Sequence, residues 1–246
     1  MHPDFLSNTY LVASEDGADA FFVDAGGPMA PLFEAVAAHR LNPTHILLTH
    51  HHYDHVSQID EIQARYGGGL TVLVPESEAA YVPAATGTWK AGDTLTIGGL
   101  PIRTHAIPGH TSGMIAIEVL DPDGGPSNVF TGDTLFKNSV GGVRAPDSTS
   151  YADLKHSVME VLMALPSETI LRPGHIEETT VGAEWEGNSF IRIWRGLEPE
   201  AATPCTALGE PATLVHLGDD YDGGHKAWVR WPDGRDDIVP GSRVER

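Results

Sequence analysis

The spacing of apolar and polar positions predicts strands alternating with helices through the first half of the chain. Phe21-Phe22-Val23 is a short apolar run that stops at Asp24-Ala25-Gly26-Gly27, and residues 30–40 have helical spacing, with Leu32, Phe33, Val36 and Ala37 on one side. Residues 44–49 contain Ile46-Leu47-Leu48, the continuous apolar pattern of a strand buried on both faces, and deliver the chain into His50-His51-His52-Tyr53-Asp54-His55. An amphipathic stretch over 56–66 then leads to a strand over 70–74. This completes a strand-helix-strand unit in which parallel pairing is expected. From Thr94 the pattern changes to strands separated by glycine and proline, at 94–97, 102–107, 114–120 and 129–131, with a hairpin turn at Asp121–Pro126. The clearest helix is 151–165, where Leu154, Val158, Val161, Leu162 and Leu165 recur at three- and four-residue steps before Pro166. A last strand, 169–171, runs into Arg172-Pro173-Gly174-His175. This order fits a mixed α/β domain with helices outside two layers of strand.

Composition shifts near Gly196. Residues 198–211 are rich in glutamate, proline and small side chains and read as a linker, leaving a main domain over 1–197. Beyond it, 212–217, 226–231 and 235–239 read as short strands joined by glycine-containing turns, a small all-β module over 212–246. A module of that size buries little surface alone, so it is expected to lean on the main domain or on a partner subunit in a homo-oligomer.

Charge narrows the function classes. Against 15 basic residues stand 34 acidic ones, a net charge of −19, and only four of the basic residues are lysine. Such a surface repels phosphate, so no nucleic-acid partner is expected, whereas a small-molecule substrate is compatible with it. No apolar run reaches the roughly 20 residues a membrane-spanning helix needs, so no membrane partner is expected either. Cys205 is the single cysteine, and the opening residues lack the pattern of a signal peptide, which makes the cytoplasm the expected compartment.

Histidine carries the chemistry. His50, His52, Asp54 and His55 alternate along a tight segment at a strand end, where one short loop can present donors in two directions, as two cations roughly 3.5–4 Å apart require. Three later segments repeat the sequence of apolar strand, turn, glycine and donor. Ala106-Ile107-Pro108-Gly109 precedes His110, Val129-Phe130-Thr131-Gly132 precedes Asp133, and Ile170-Leu171-Arg172-Pro173-Gly174 precedes His175. Any one alone reads as a loop residue; the three together with the histidine cluster point to a metal centre. His51 alternates away from the donor face, and Asp24, at a strand end, is placed to accept a proton from a ligand imidazole.

The segments Thr49–His55, Pro108-Gly109-His110-Thr111-Ser112-Gly113, Thr131-Gly132-Asp133-Thr134-Leu135-Phe136 and Pro173-Gly174-His175 resemble those of the metallo-β-lactamase-fold hydrolases, over roughly residues 7–195. Gly132–Phe136 is most similar to the glyoxalase II-like branch, whose members hydrolyse thioesters such as hydroxyacyl-glutathione. The resemblance implies a four-layer αββα sandwich with a dinuclear site at one edge of its two sheets. It also implies that His50, His52 and His110 hold one metal, that Asp54, His55 and His175 hold the other, and that Asp133 bridges them. Nitrogen and carboxylate donors suit zinc best and also admit iron or manganese. A bridging hydroxide would then attack the acyl carbon, with Asp54 orienting the water or taking its proton.

Departures from that branch limit the substrate. Where members of that branch have a basic and a tyrosyl residue that grip the glutathione peptide, this chain reads Lys137-Asn138-Ser139-Val140-Gly141-Gly142-Val143-Arg144, and its tail is β-rich rather than helical, so glutathione itself is not expected. Tyr53, Phe136 and Arg144 are the candidate substrate contacts. Two other activities fit the same scaffold. One is a lactonase, although Val56-Ser57 follows the cluster where acyl-homoserine lactonases have Ala-Gly. The other is a persulfide dioxygenase with one iron on His50 or His52, His110 and Asp133. A serine hydrolase is excluded because the middle residue of Gly109-His110-Thr111-Ser112-Gly113 is threonine.

Overall fold

The structure, a computed structural model, describes residues 4–15, 18–67 and 69–246. The chain divides into two compact units. The first takes the residues up to Ala106 together with Gly113–Gly132 and Gly174–Ile176; the second takes Ile107–Ser112, Asp133–Pro173 and Glu177–Arg246.

In the first unit, strands β1 (Tyr10–Ala13), β2 (Asp19–Val23), β3 (Asn42–Leu47), β4 (Thr71–Pro75) and β5 (Gly87–Trp89) form a sheet in that order. The β1–β2 pair is antiparallel and the remaining pairs are parallel, as crossover helices require. Helix α1 (Ala30–His39) connects β2 to β3, and α2 (Tyr53–Val56) and α3 (Ile59–Tyr66) lie between β3 and β4. Successive side chains on a strand point to opposite faces, and here both faces are buried. Phe22, Ile46 and Val72 pack with Val36, Ile59 and Ile62 of the helices. Phe21, Val23 and Leu47 face a second, antiparallel sheet through Ile102, Ile117 and Phe130. That sheet contains β6 (Thr94–Ile97), β7 (Leu100–Ala106), β8 (Ile115–Val119) and β9 (Asn128–Gly132). The double burial is why Phe21–Val23 and Ile46–Leu48 read as unbroken apolar runs.

The helix expected over 56–66 begins earlier and is broken. The Ala25 backbone N–H donates to the His55 carbonyl, and the Gln58 N–H donates to the Ala25 carbonyl, each at 2.7 Å. These bonds to the turn after β2 accompany a departure from helical geometry at Gln58, with φ of −105° and ψ of 7°. They leave Asp54 and His55 on the short α2.

In the second unit, β10 (Leu135–Phe136) and β11 (Ser139–Val140) form a small hairpin. Helix α4 (Tyr151–His156) starts at Ser150, whose hydroxyl accepts the Asp153 N–H at 3.1 Å. It continues as a π-helical segment, Ser157–Leu162, so the helix ends three residues short of the expected 165. Strands β12 (Ile170–Pro173) and β13 (Thr179–Thr180) pair antiparallel. Two short helices follow, α5 (Val181–Gly187) and α6 (Ser189–Trp194); the Asn188 side chain caps the second by accepting the Phe190 N–H at 3.0 Å.

The expected linker over 198–211 requires correction. Its residues build β14 (Thr203–Ala207) and begin β15 (Glu210–Asp219). The two join through Leu208-Gly209 with φ of 53° and 84°, the backbone of a type I′ hairpin turn. With β16 (His225–Arg230), β17 (Asp236–Pro240) and β18 (Val244–Glu245) they form an antiparallel sheet ordered β17-β16-β15-β14-β18. This sheet shares a core with the helices of its own unit. The Trp228 ring lies 5.2 Å from Tyr151 on α4, and Phe190 on α6 meets His216 at 4.8 Å. Among the described residues no helix is long and apolar enough to cross a membrane.

Candidate metal centre

Within the first unit the histidine cluster is organised from β2. Asp24 sits at the end of that strand with φ of 54°, a left-handed conformation that aspartate tolerates better than most residues, and it is almost fully buried. Its Oδ1 accepts the Thr49 N–H at 2.8 Å, and its Oδ2 lies 2.9 Å from the Thr49 hydroxyl and 3.0 Å from His55 Nδ1. The Thr49 hydroxyl is in turn 3.0 Å from His50 Nδ1. A carboxylate only accepts, so His55 Nδ1 carries the proton. Thr49 donates to Asp24 and is free to accept from His50 Nδ1–H. One buried carboxylate therefore sets the tautomer of two imidazoles, directly for His55 and through a hydroxyl for His50, and presents Nε2 as the donor atom of each.

His175 is fixed by the same logic. Residues 174–176 are tied into this unit by a bond from the Gly174 N–H to the Gly132 carbonyl at 2.8 Å, and His175 Nδ1 donates to the Phe5 carbonyl at 2.9 Å. The Nε2 atoms of His55 and His175 then stand 3.5 and 3.6 Å from Asp54 Oδ2. Donors about 2.1 Å from a tetrahedral cation lie roughly 3.4 Å apart, so this trio has the spacing of a coordination shell. His50 and His52 meet edge to face, with ring centroids 4.8 Å apart. Asp24 also lies within 4.8 Å of donor atoms on His50 and His55. Its oxygens already accept the hydrogen bonds above, so it orients ligands. His51 points to another partner, Glu78 Oε2 at 2.7 Å, and stacks on Tyr81.

In the second unit, His110 Nδ1 donates to the Gly142 carbonyl at 2.9 Å, and His110 Nε2 lies 3.5 Å from Asp133 Oδ2. Again Nδ1 is tethered and Nε2 faces a carboxylate. The glycines before these two donors have positive φ, 148° at Gly109 and 48° at Gly132, whereas Gly174 before His175 does not. At Gly109 an added Cβ would sit 2.8 Å from the Leu154 backbone, so packing also demands glycine there.

His110 and Asp133 line a cavity of about 350 Å³ together with Phe136, Arg144, Tyr221 and Lys226. Tyr221 and Lys226 belong to the C-terminal module, which the sequence reading gave no place in the site. Of the candidate substrate residues, Phe136 is buried in this wall, Tyr53 is 72% exposed, and the Arg144 guanidinium pairs with Asp237 and lies over the Trp231 ring. A larger cavity of about 640 Å³ lies beside α4, lined among others by Tyr151, Lys155 and Trp231, and none of the candidate ligands reaches it.

The chain belongs to the metallo-β-lactamase superfamily, whose family model matches residues 2–175. Its fold is that of the superfamily's αββα sandwich, extended by the all-β C-terminal sheet. The chain is 36% identical over 170 residues to a hydroxyacylglutathione hydrolase of Brucella ovis, covering 69% of this chain and 62% of that one. An uncharacterized protein of Mycobacterium bovis is 30% identical over 207 residues, covering 75% of this chain and 92% of the relative. Among solved structures, the BLEG-1 B3 metallo-β-lactamase superposes with a TM-score of 0.68 at 25% identity, over 77% of this chain and 96% of the other. TTHA1623 in a di-iron-bound form gives 0.63 at 28% identity, over 77% and 98%. With the His/Asp clusters described above, these likenesses make the protein one that binds divalent metal.

Proposed function

We propose that the protein is a dinuclear-metal hydrolase acting on a small-molecule thioester or related ester. His50, His52 and His110 would hold one ion and Asp54, His55 and His175 the other, with Asp133 available to both, and the donor set would suit zinc as the resident metal. The observation that carries this reading is the repeated tether: His50, His55, His110 and His175 each engage a fixed partner through Nδ1, which keeps Nε2 as the ligand atom. The likeness to the Brucella hydroxyacylglutathione hydrolase supports acyl transfer to water as the reaction.

When bound, the two cations supply a water ionised near neutral pH and a positive pole for the substrate carbonyl. The protein's residues do the rest. Asp24 fixes imidazole orientation before substrate arrives, so no reorganisation is needed during reaction. Asp54, partly open to solvent, positions the attacking water and takes up its proton at Oδ2.

Metal quantification on purified protein, followed by a panel of thioesters, lactones and persulfides, tests the assignment. About two divalent ions per chain with thioester turnover is the expected result. A single iron with oxygen uptake on a persulfide would overturn it, and lactone opening without thioester cleavage would move the activity to cyclic esters.

A further inference from the structure

The cavity that contains His110 and Asp133 has a wall that the ligand-bearing motifs supply only through Phe136. Phe136, Tyr221, Ile238, Val239 and Pro240 line it, and four of these five residues come from the C-terminal module. The Phe136 and Tyr221 rings meet at 4.7 Å, and the Lys226 ammonium lies within 5.6 Å of both ring centres. The charges beside this wall are already matched. Lys226 Nζ is 3.1 Å from Asp220 Oδ2 with both side chains 10% exposed, and Arg144 is paired with Asp237. An anionic group directed at this wall would meet basic side chains already engaged in ion pairs and would face the carboxylates of Asp220 and Asp222, which share the lining. At about 350 Å³ the space is near the lower end of ligand cavities, roughly 300–1,000 Å³.

Resting on the hydrolase reading above, we propose that this cavity is the acyl pocket: the C-terminal sheet closes the active site and selects an uncharged, compact apolar acyl group. The acyl side is assigned because the departing thiol or alcohol gains from solvent, whereas an apolar wall stabilises only a group that leaves water. The module is then a specificity element of the enzyme itself.

The test uses the full-length, metal-loaded protein and N-acetylcysteamine thioesters of acetate, butyrate, hexanoate and palmitate. Each buried methylene is expected to raise kcat/KM about fourfold, roughly 250-fold from acetyl to hexanoyl, with a fall at palmitoyl. Tyr221→Ala should flatten this slope, and Tyr221→Phe, which keeps the ring, should preserve it. Calorimetric binding of hexanamide against acetamide gives a readout independent of turnover, with hexanamide binding tighter to the wild-type protein and the preference lost in Tyr221→Ala. A flat series with measurable hydrolysis, or a slope that follows the thiol rather than the acyl chain, overturns the pocket and leaves the hydrolase reading standing. If no thioester is cleaved, that reading fails and the amide preference alone decides the pocket: present, it stands; absent, it falls.

Discussion

Asp24→Asn is the sharpest perturbation of the site, because it exchanges one carboxylate oxygen for an amide nitrogen and leaves the backbone alone. Asparagine tolerates the left-handed φ of 54° at this position, so no strain is added. The amide has two ways to sit. With its oxygen kept on the Thr49 N–H, its NH2 replaces Oδ2 and points at His55 Nδ1, 3.0 Å away. His55 must then accept at Nδ1 and carry its proton on Nε2, the atom facing Asp54. The flipped amide restores the His55 bond but sets two N–H donors against each other at Thr49, which costs about 1–3 kcal/mol. Either way the cost falls on the form competent to bind metal. Changes to such orienting partners weaken metal affinity about 10–100-fold, or roughly 1.4–2.7 kcal/mol. Competition against a chromophoric chelator on metal-free protein measures this directly. Asp24→Asn protein with wild-type affinity and stoichiometry would refute the claim that Asp24 sets the tautomers.

Asp133→Asn should lower metal content by about one ion per chain and reduce turnover at least about tenfold; full occupancy with undiminished turnover would remove Asp133 from the centre. Glu118 is buried, which alone would raise its pKa, yet hydrogen bonds from Arg103, His105 and Ser127 outweigh burial and hold the carboxyl below its usual value. Its folded pKa is therefore lower than its unfolded one, so its stabilisation is complete above the unfolded pKa and is lost as pH falls through the folded value. Glu118→Gln should cost about 1–3 kcal/mol at pH 7 and flatten the acid limb of a denaturation-midpoint profile, while an unchanged acid limb would exclude this role. Trp228→Ala should cost about 3–5 kcal/mol and lower the melting temperature of α4 and the C-terminal sheet together; an early transition confined to the sheet would show that the shared core is not cooperative.

The candidate donors were legible in the sequence because each stands in a contiguous motif behind an apolar strand, and the parallel pairing of β3 with β4 followed from the strand-helix-strand order of residues 44–74. The tethers were mostly not legible. His175 is fixed by the carbonyl of Phe5 and His110 by the carbonyl of Gly142, and every residue has a carbonyl, so no side-chain pattern marks which one is used. Asp24 was legible because a side chain performs that task. The break after α2 is likewise a backbone matter, created by bonds to Ala25 more than 25 positions earlier in the chain. Pro204 and Pro211 gave 198–211 the look of a linker, and Leu208-Gly209 lacks the Asn-Gly or Asp-Gly signature of the type I′ turn it forms. Missing β14 concealed how the module is anchored, and with it the route by which Tyr221 and Lys226 reach the wall beside His110 and Asp133. A local pattern can announce a metal ligand because coordination chemistry restricts the residue types. It cannot announce an apolar wall, since many residues serve that purpose and only the packing of α4 and α6 against the sheet decides which ones do.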